Sequence, residues 1–172
     1  MISAKSLIYR LNRKIDRLDS EKKKAIRIVD MCSALTEAQN YLLKDRVLKY
    51  EMDTRNRYEV SELEIKGKKI SASPKDGNYV ASLPRDIYRD LGMRVVAYKE
   101  GCGEKIIPLT KINSGSYQKS ITNPFWNSSF AWEQAFGDEA DGKMYVYTDD
   151  FEVRSIIVDY IRKPNEIHCP SL

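Results

Sequence analysis

The sequence predicts an α+β fold: an N-terminal long-helix hairpin or bundle over residues 1–57, then an antiparallel β-rich part over 58–172 that closes with a C-terminal hairpin. Three observations predict it. Apolar residues recur at three- and four-residue spacing through roughly the first 46 positions. From Tyr58 onward the pattern changes to short β-branched runs. Turn signals bearing Gly and Asp separate those runs.

Each element has its own signal. Ala4, Leu7, Leu11, Ile15 and Leu18 form one apolar stripe on a first helix. Asp19-Ser20 interrupts it, and both residue types cap a following helix well. A second stripe runs through Ala25, Ile28, Val29, Cys32, Leu35, Gln39, Leu42 and Leu43, to about Arg46 or beyond. Strands are expected around Tyr58–Ile65, Lys69–Ala72, Tyr79–Leu83, Met93–Tyr98 and Lys105–Leu109. Asp76-Gly77 and Gly101-Cys102-Gly103 supply turns between them. Leu83–Tyr88, with Pro84 in its first turn, fits a short helix. Residues 110–142 read as a long aromatic loop. Lys143–Thr148 and Glu152–Arg162 read as two strands joined by a hairpin turn over Thr148–Phe151.

The chain has 172 residues, 42% hydrophobic and 31% charged, which suits a real core beneath a well-solvated surface. No apolar run reaches the roughly 20 residues that span a bilayer, and the N-terminus lacks a secretory pattern. The expected setting is a cytoplasm or an assembled particle, with no membrane partner. Cys32, Cys102 and Cys169 are far apart and without CxxC spacing, so reduced thiols are expected and no metal site. His168 is the single histidine and weakens any metal or nucleophile–histidine proposal further. No GxSxG, Walker A or GxGxxG pattern occurs; the GCG at 101–103 lacks a following helix signal. Asp149-Asp150 is better explained as a turn than as a catalytic carboxylate pair. No enzyme activity and no cofactor are expected.

Two features point to partners instead. Residues 1–27 hold nine Lys/Arg against three acids, an excess suited to DNA or to an acidic protein surface, or simply to a solvated helix face. Phe125, Trp126, Phe130, Trp132 and Phe136 cluster within the aromatic loop. Such aromatics serve as core, as protein interface or as base-stacking platforms. The nearby Glu133, Asp138, Glu139 and Asp141 disfavour phosphate binding.

Several segments occur in an order that resembles one family. They are RLNRKIDRLDS, IVDMCSALTEAQNYLL, VASLPRDIYRD, NPFWNSSFAWEQAFGD and KMYVYTDDFEVRSIIVDYIRKP. The chain is similar to the head–tail connector, adaptor or ring proteins of tailed bacteriophages, in particular those of crAss-like phages. The resemblance implies a helical bundle with a β-rich appendage. It also implies a twelvefold homo-oligomeric ring in the virion, assembled in the host bacterial cytoplasm. The implied partners are the portal protein and neighbouring tail or ring proteins, with genomic DNA passing through the lumen without sequence-specific binding. Proteins of this kind continue past the last strand into a further helix, whereas this sequence ends at Leu172, so either that helix is lacking or the gene product is longer than this sequence. If the helix is lacking, the Leu7–Leu18 stripe is expected to be covered by a neighbouring subunit.

The residues expected at subunit or partner interfaces are Leu7, Leu11, Arg10, Arg13, Arg17, Trp126, Phe130 and Trp132. The arginines are expected to face acidic partner surfaces rather than the DNA channel, because a strongly basic wall would retain DNA. β-Sheet edges are expected to offer further pairing surface. Rival readings are another tail-barrel or hub ring protein, a DNA-binding regulator, and a hydrolase. A regulator would need base-reading residues at the start of its second helix, and a hydrolase would need paired acids with a metal.

Overall fold

The computed structural model describes residues 4–18, 28–112, 127–148, 150–165 and 167. Two compact units divide the chain: Met1–Glu62 with Pro164–Leu172, and Leu63–Lys163.

The first unit carries helices α1 (Ala4–Leu18) and α2 (Ile28–Met52). They do not build a bundle. Ile8 of α1 is buried against Met31 and Cys32 of α2, with Leu11, Ile28 and Leu35 packed around them. Among the described residues, α1 meets α2 only at that small cluster, and the 3-10 turn that follows α2 packs back against it. The helical-bundle expectation is overturned; the molecule is mostly β. Of the Leu7–Leu18 stripe, Leu11 packs against the cluster with α2, and Leu7 is half-buried. The Asp19-Ser20 cap lies outside the described residues. Cys32 is disulfide-bonded and Cys102 is free and exposed, so the expectation of reduced thiols fails at Cys32. After α2, Asp53 accepts a hydrogen bond from the Arg55 N–H (2.9 Å) and starts a 3-10 turn over Thr54–Glu59. The strand expected from Tyr58 therefore begins only at Glu64.

The second unit is one curled sheet of eight strands: β1 (Glu64–Ser71), β2 (Ser73–Lys75), β3 (Asn78–Ser82), β4 (Ile87–Lys99), β5 (Gly103–Lys111), β6 (Ala135–Ala140), β7 (Lys143–Tyr147) and β8 (Glu152–Arg162). Their order is β1-β8-β4-β5-β6-β7-β3-β2. All pairs are antiparallel except β5 with β6, which run parallel through Leu109↔Ala135 and Thr110↔Phe136. The sheet is thus mixed rather than antiparallel.

The expected C-terminal hairpin is absent. β7 and β8 follow one another in sequence but stand four places apart in the sheet. In a flat sheet that separation is about 19 Å, while the link from Tyr147 to Glu152 reaches at most about 18 Å. The sheet must curl so that β7 and β8 face each other across the interior. Closure comes from the other end of the chain: β1 pairs with β8, β2 pairs with β3, and only Ala72 lies between them. One continuous stretch therefore belongs to both ends of the strand order, and the Ala72 N–H still bonds the Arg154 carbonyl (3.3 Å).

The core lies inside this barrel. Ile107, Met144, Ile156, Val95, Val146, Val153 and Val158 are almost wholly excluded from water. Each contributes about 1.5–3 kcal/mol by burial. Two-residue turns with both φ angles positive, Asp76-Gly77 and Asp141-Gly142, join β2 to β3 and β6 to β7, matching the right-handed twist of the strands. The short helix expected over Leu83–Tyr88 is instead a turn leading into β4. The pre-strand segment is held extended by Leu83 N–H to the Gly142 carbonyl (2.9 Å).

Candidate assembly surfaces

α2 has 25 residues and is about 38 Å long. Met31, Cys32, Leu43 and Val47 are buried, with Leu35, Thr36, Gln39 and Tyr50 half-buried beside them. The expected second stripe included Val29 and Leu42, but both are exposed. A different set runs along the far side: Ala34, Ala38, Tyr41, Asp45, Leu48 and Met52, at alternating four- and three-residue steps. That spacing draws one seam along a helix. Tyr41 is 74% exposed, Met52 86% and Leu48 45%. Asp45 breaks the seam but bonds Lys49 one turn on (2.8 Å). A helix apolar on two opposite sides is built to be covered on both. This second seam is the surface that sequence reasoning missed, although its heptad spacing was visible.

On α1, Arg10 and Arg13 are exposed, together with Lys14 and Tyr9. Among the described residues none of the three basic groups makes an ion pair. Arg17 lies on α1, and nothing of its side chain is described. Leu7 and Leu11 are half-buried, Leu11 against the α1–α2 cluster.

The aromatic loop divides. Trp126 lies outside the described residues, as does Phe125. Phe130 is core, 4% exposed and close to the Phe151 ring (6.2 Å between centroids), so it is not available to a partner. Its burial follows from a tight turn. Ser129 and Gln134 exchange both backbone hydrogen bonds (2.8 and 3.1 Å), and the Phe130 N–H donates to the Asp150 carboxylate (3.3 Å). Lys105 sits 5.0 Å from the Phe130 ring centroid and pairs with Glu133 (3.1 Å). The same turn sends Trp132 outward, 77% exposed. A tryptophan held on a tied-down turn loses little freedom on meeting a partner, which is the character of an interface anchor. Residues 135–140, expected as loop, form β6.

The sheet edge is poorly suited to pairing with another chain. β1 carries Lys66, Lys68 and Lys69 around Gly67, whose positive φ marks a bulge. Asp159 of β8 clamps that bulge, accepting from the Gly67 N–H (2.6 Å) and from Arg94 of β4 (2.7 Å). Lysines and a bulge are the usual means of blunting an edge.

Among the described residues no group of His, Cys, Asp and Glu is placed to hold a metal, and no helix is long and apolar enough to cross a membrane. No known family matches the chain, and no curated protein matches it.

Proposed function

We propose that this chain is a structural ring subunit of the head–tail connector of a tailed phage, bridging portal and tail and enclosing part of the DNA path. The observation that carries the reading is the second apolar seam of α2. Tyr41, Leu48 and Met52 expose apolar side chains along one side of the helix, interrupted only by the Lys49-paired Asp45, and a chain acting alone would bury them or replace them by polar residues. Trp132 adds an anchor elsewhere. The ordered sequence segments that resemble connector proteins supply the identity of the assembly. The subunit works by shape: copies pack flank to flank into a twelvefold ring, the portal and the next tail component seat on its two faces, and DNA passes through. Arg10 and Arg13 face acidic protein surfaces rather than the channel.

Electron microscopy tests this reading. Purified chain, or particles labelled with an antibody against it, should show rings located between portal and tail. A Y41E/L48E/M52E variant should stay folded by circular dichroism and be missing from particles. Finding the wild-type chain outside the connector, or the variant incorporated normally, would sink the proposal.

A further inference from the structure

We propose that an acidic groove at one end of the barrel receives the basic outer face of α1 from a second copy of the chain. This rests on the ring reading and names the contact that would close the ring.

The groove has a volume of about 550 Å³ and lies where the β2–β3 turn, the end of β4 and the β7–β8 link converge. Tyr79, Tyr98 and Phe151 form part of its wall. Its charged groups are Lys99, Glu100, Asp150 and Glu152. Lys99 and Asp150 bond each other (3.2 Å) and cancel, which leaves Glu100 and Glu152 as uncompensated negative charge. Both glutamates are exposed and, among the described residues, neither makes an ion pair. The field of Glu152 reaches into the groove: together with burial, the larger cause, it holds the Tyr79 hydroxyl above its ordinary pKa. Asp150 also ties the groove to the turn that presents Trp132, through the Phe130 N–H.

The matching surface is on α1. Tyr9 is 67% exposed, and Arg10, Arg13 and Lys14 are exposed with it, turned away from Ile8 and Leu11. Arg10 and Arg13 are three residues apart, so one helix face delivers both. A groove of this size takes side chains such as tyrosine and arginine, not a whole helix. Guanidinium groups pair well with carboxylates and stack on tyrosine rings. Among the described residues, neither surface is covered within its own unit: the helix face is exposed and the groove is open. Because the two surfaces differ, a pair of copies leaves one groove and one helix free. The contact therefore repeats and either closes into a ring or runs on as a filament.

A charge-swap experiment tests the contact. Variant one carries Glu100→Lys and Glu152→Lys; variant two carries Arg10→Glu and Arg13→Glu. All four positions are exposed, and circular dichroism checks that both variants fold. By sedimentation velocity the wild-type chain should assemble at low salt and need about tenfold more protein at high salt, where surface charges are screened. Each variant alone should stay monomeric. An equimolar mixture should assemble again, since every groove then meets a helix of opposite charge. A variant that assembles like wild type, a mixture that stays monomeric, or a wild-type chain monomeric at millimolar concentration and low salt would each overturn the contact. So would a loss of duplex DNA binding in variant two with assembly unchanged. The ring reading fails separately, if charge-dependent assembly yields only open filaments and particles lack the chain.

Discussion

Replacing Gly137 by alanine would put a methyl carbon 2.6 Å from the Tyr145 carbonyl oxygen, and 3.2 Å from both the Leu109 Cδ1 and the Met144 Sδ. The side-chain atoms could give way, but the carbonyl cannot move freely. Tyr145 is fixed in the β6–β7 ladder, where Asp138 faces Tyr145 and Gly137 faces Val146. Leu109 and Met144 are themselves core residues. Relief requires β6 to shift away from β7, against its parallel pairing with β5 through Lys111↔Gly137. Overpacking of this kind costs about 1–3 kcal/mol. Gly92 provides the matched control: it lies in β4, its φ is not in the left-handed region, and a Cβ there meets nothing within 4 Å. Both substitutions restrict the unfolded chain equally, by about 0.4–1 kcal/mol. Their difference therefore reports the steric term alone. Urea titration followed by near-ultraviolet circular dichroism should place G137A about 1–3 kcal/mol below G92A. Equal stabilities, within about 0.5 kcal/mol, would refute the packing argument for the β5–β6–β7 junction.

Three further predictions concern polar groups of the barrel. Lys111 of β5 bonds Asp90 of β4 (2.9 Å) and Glu139 of β6 (2.6 Å), so K111M should leave two carboxylates close together and destabilise by about 1 kcal/mol at neutral pH and less at high salt, read from denaturation midpoints. Stability should also fall in alkali. Burial opposes the charge on Lys111, but its two carboxylates outweigh that and raise its pKa above 10.5; burial, then Asp86, raises Tyr160 above 10.0. In both cases the folded state keeps a proton that the unfolded state releases. The stabilisation is full below pH 10 and is lost as pH rises through the folded values. Y160F removes the hydroxyl that contacts Asp86 (3.2 Å) and should cost about 1 kcal/mol at neutral pH. Its deficit against wild type should shrink as pH rises above 10.0; a constant deficit would rule out Tyr160 as a source of the alkaline loss.

Most strands were legible because their sequences alternate or branch at Cβ: β4, β5, β7 and β8 fall close to where the pattern puts them. β6 was not, for a packing reason. Its sequence, AFGDEA, holds one β-favouring residue, Phe136, and at Gly137 the Tyr145 carbonyl, Leu109 and Met144 leave no room for a side chain. The missing β7–β8 hairpin has a different origin. Asp-rich links suit tight turns, but partner choice depends on curling of the whole sheet, which a local pattern does not carry. The helices were located, yet not their packing. α2 bears two interleaved apolar seams, and a reading that seeks one face merges them, taking Val29 and Leu42 as covered while passing over Tyr41, Leu48 and Met52. Among the interface residues, exposure of Arg10 and Arg13 followed from charge alone. Phe130 and Trp132 could not be told apart, because the left-handed conformation at Glu133 and the Asp150 hydrogen bond decide which ring turns inward.

The position of β8 has a consequence for how the molecule comes into being. This strand is the last in sequence, yet it stands between β1 and β4 and pairs with both, with Ile65 facing Tyr160 and Met93 facing Val158. A nascent chain can form its helices and the β4–β5 hairpin early, from neighbours in sequence. It has no barrel until β8 has been made, and β1 must wait unpaired until then. The lysines and the bulge of β1 then guard a strand that is exposed longest before it finds its partner. The acidic groove, built partly from the β7–β8 link, takes shape only when β8 is in place. In the proposed assembly, a copy could therefore offer its groove to a neighbour only after its own sheet has closed.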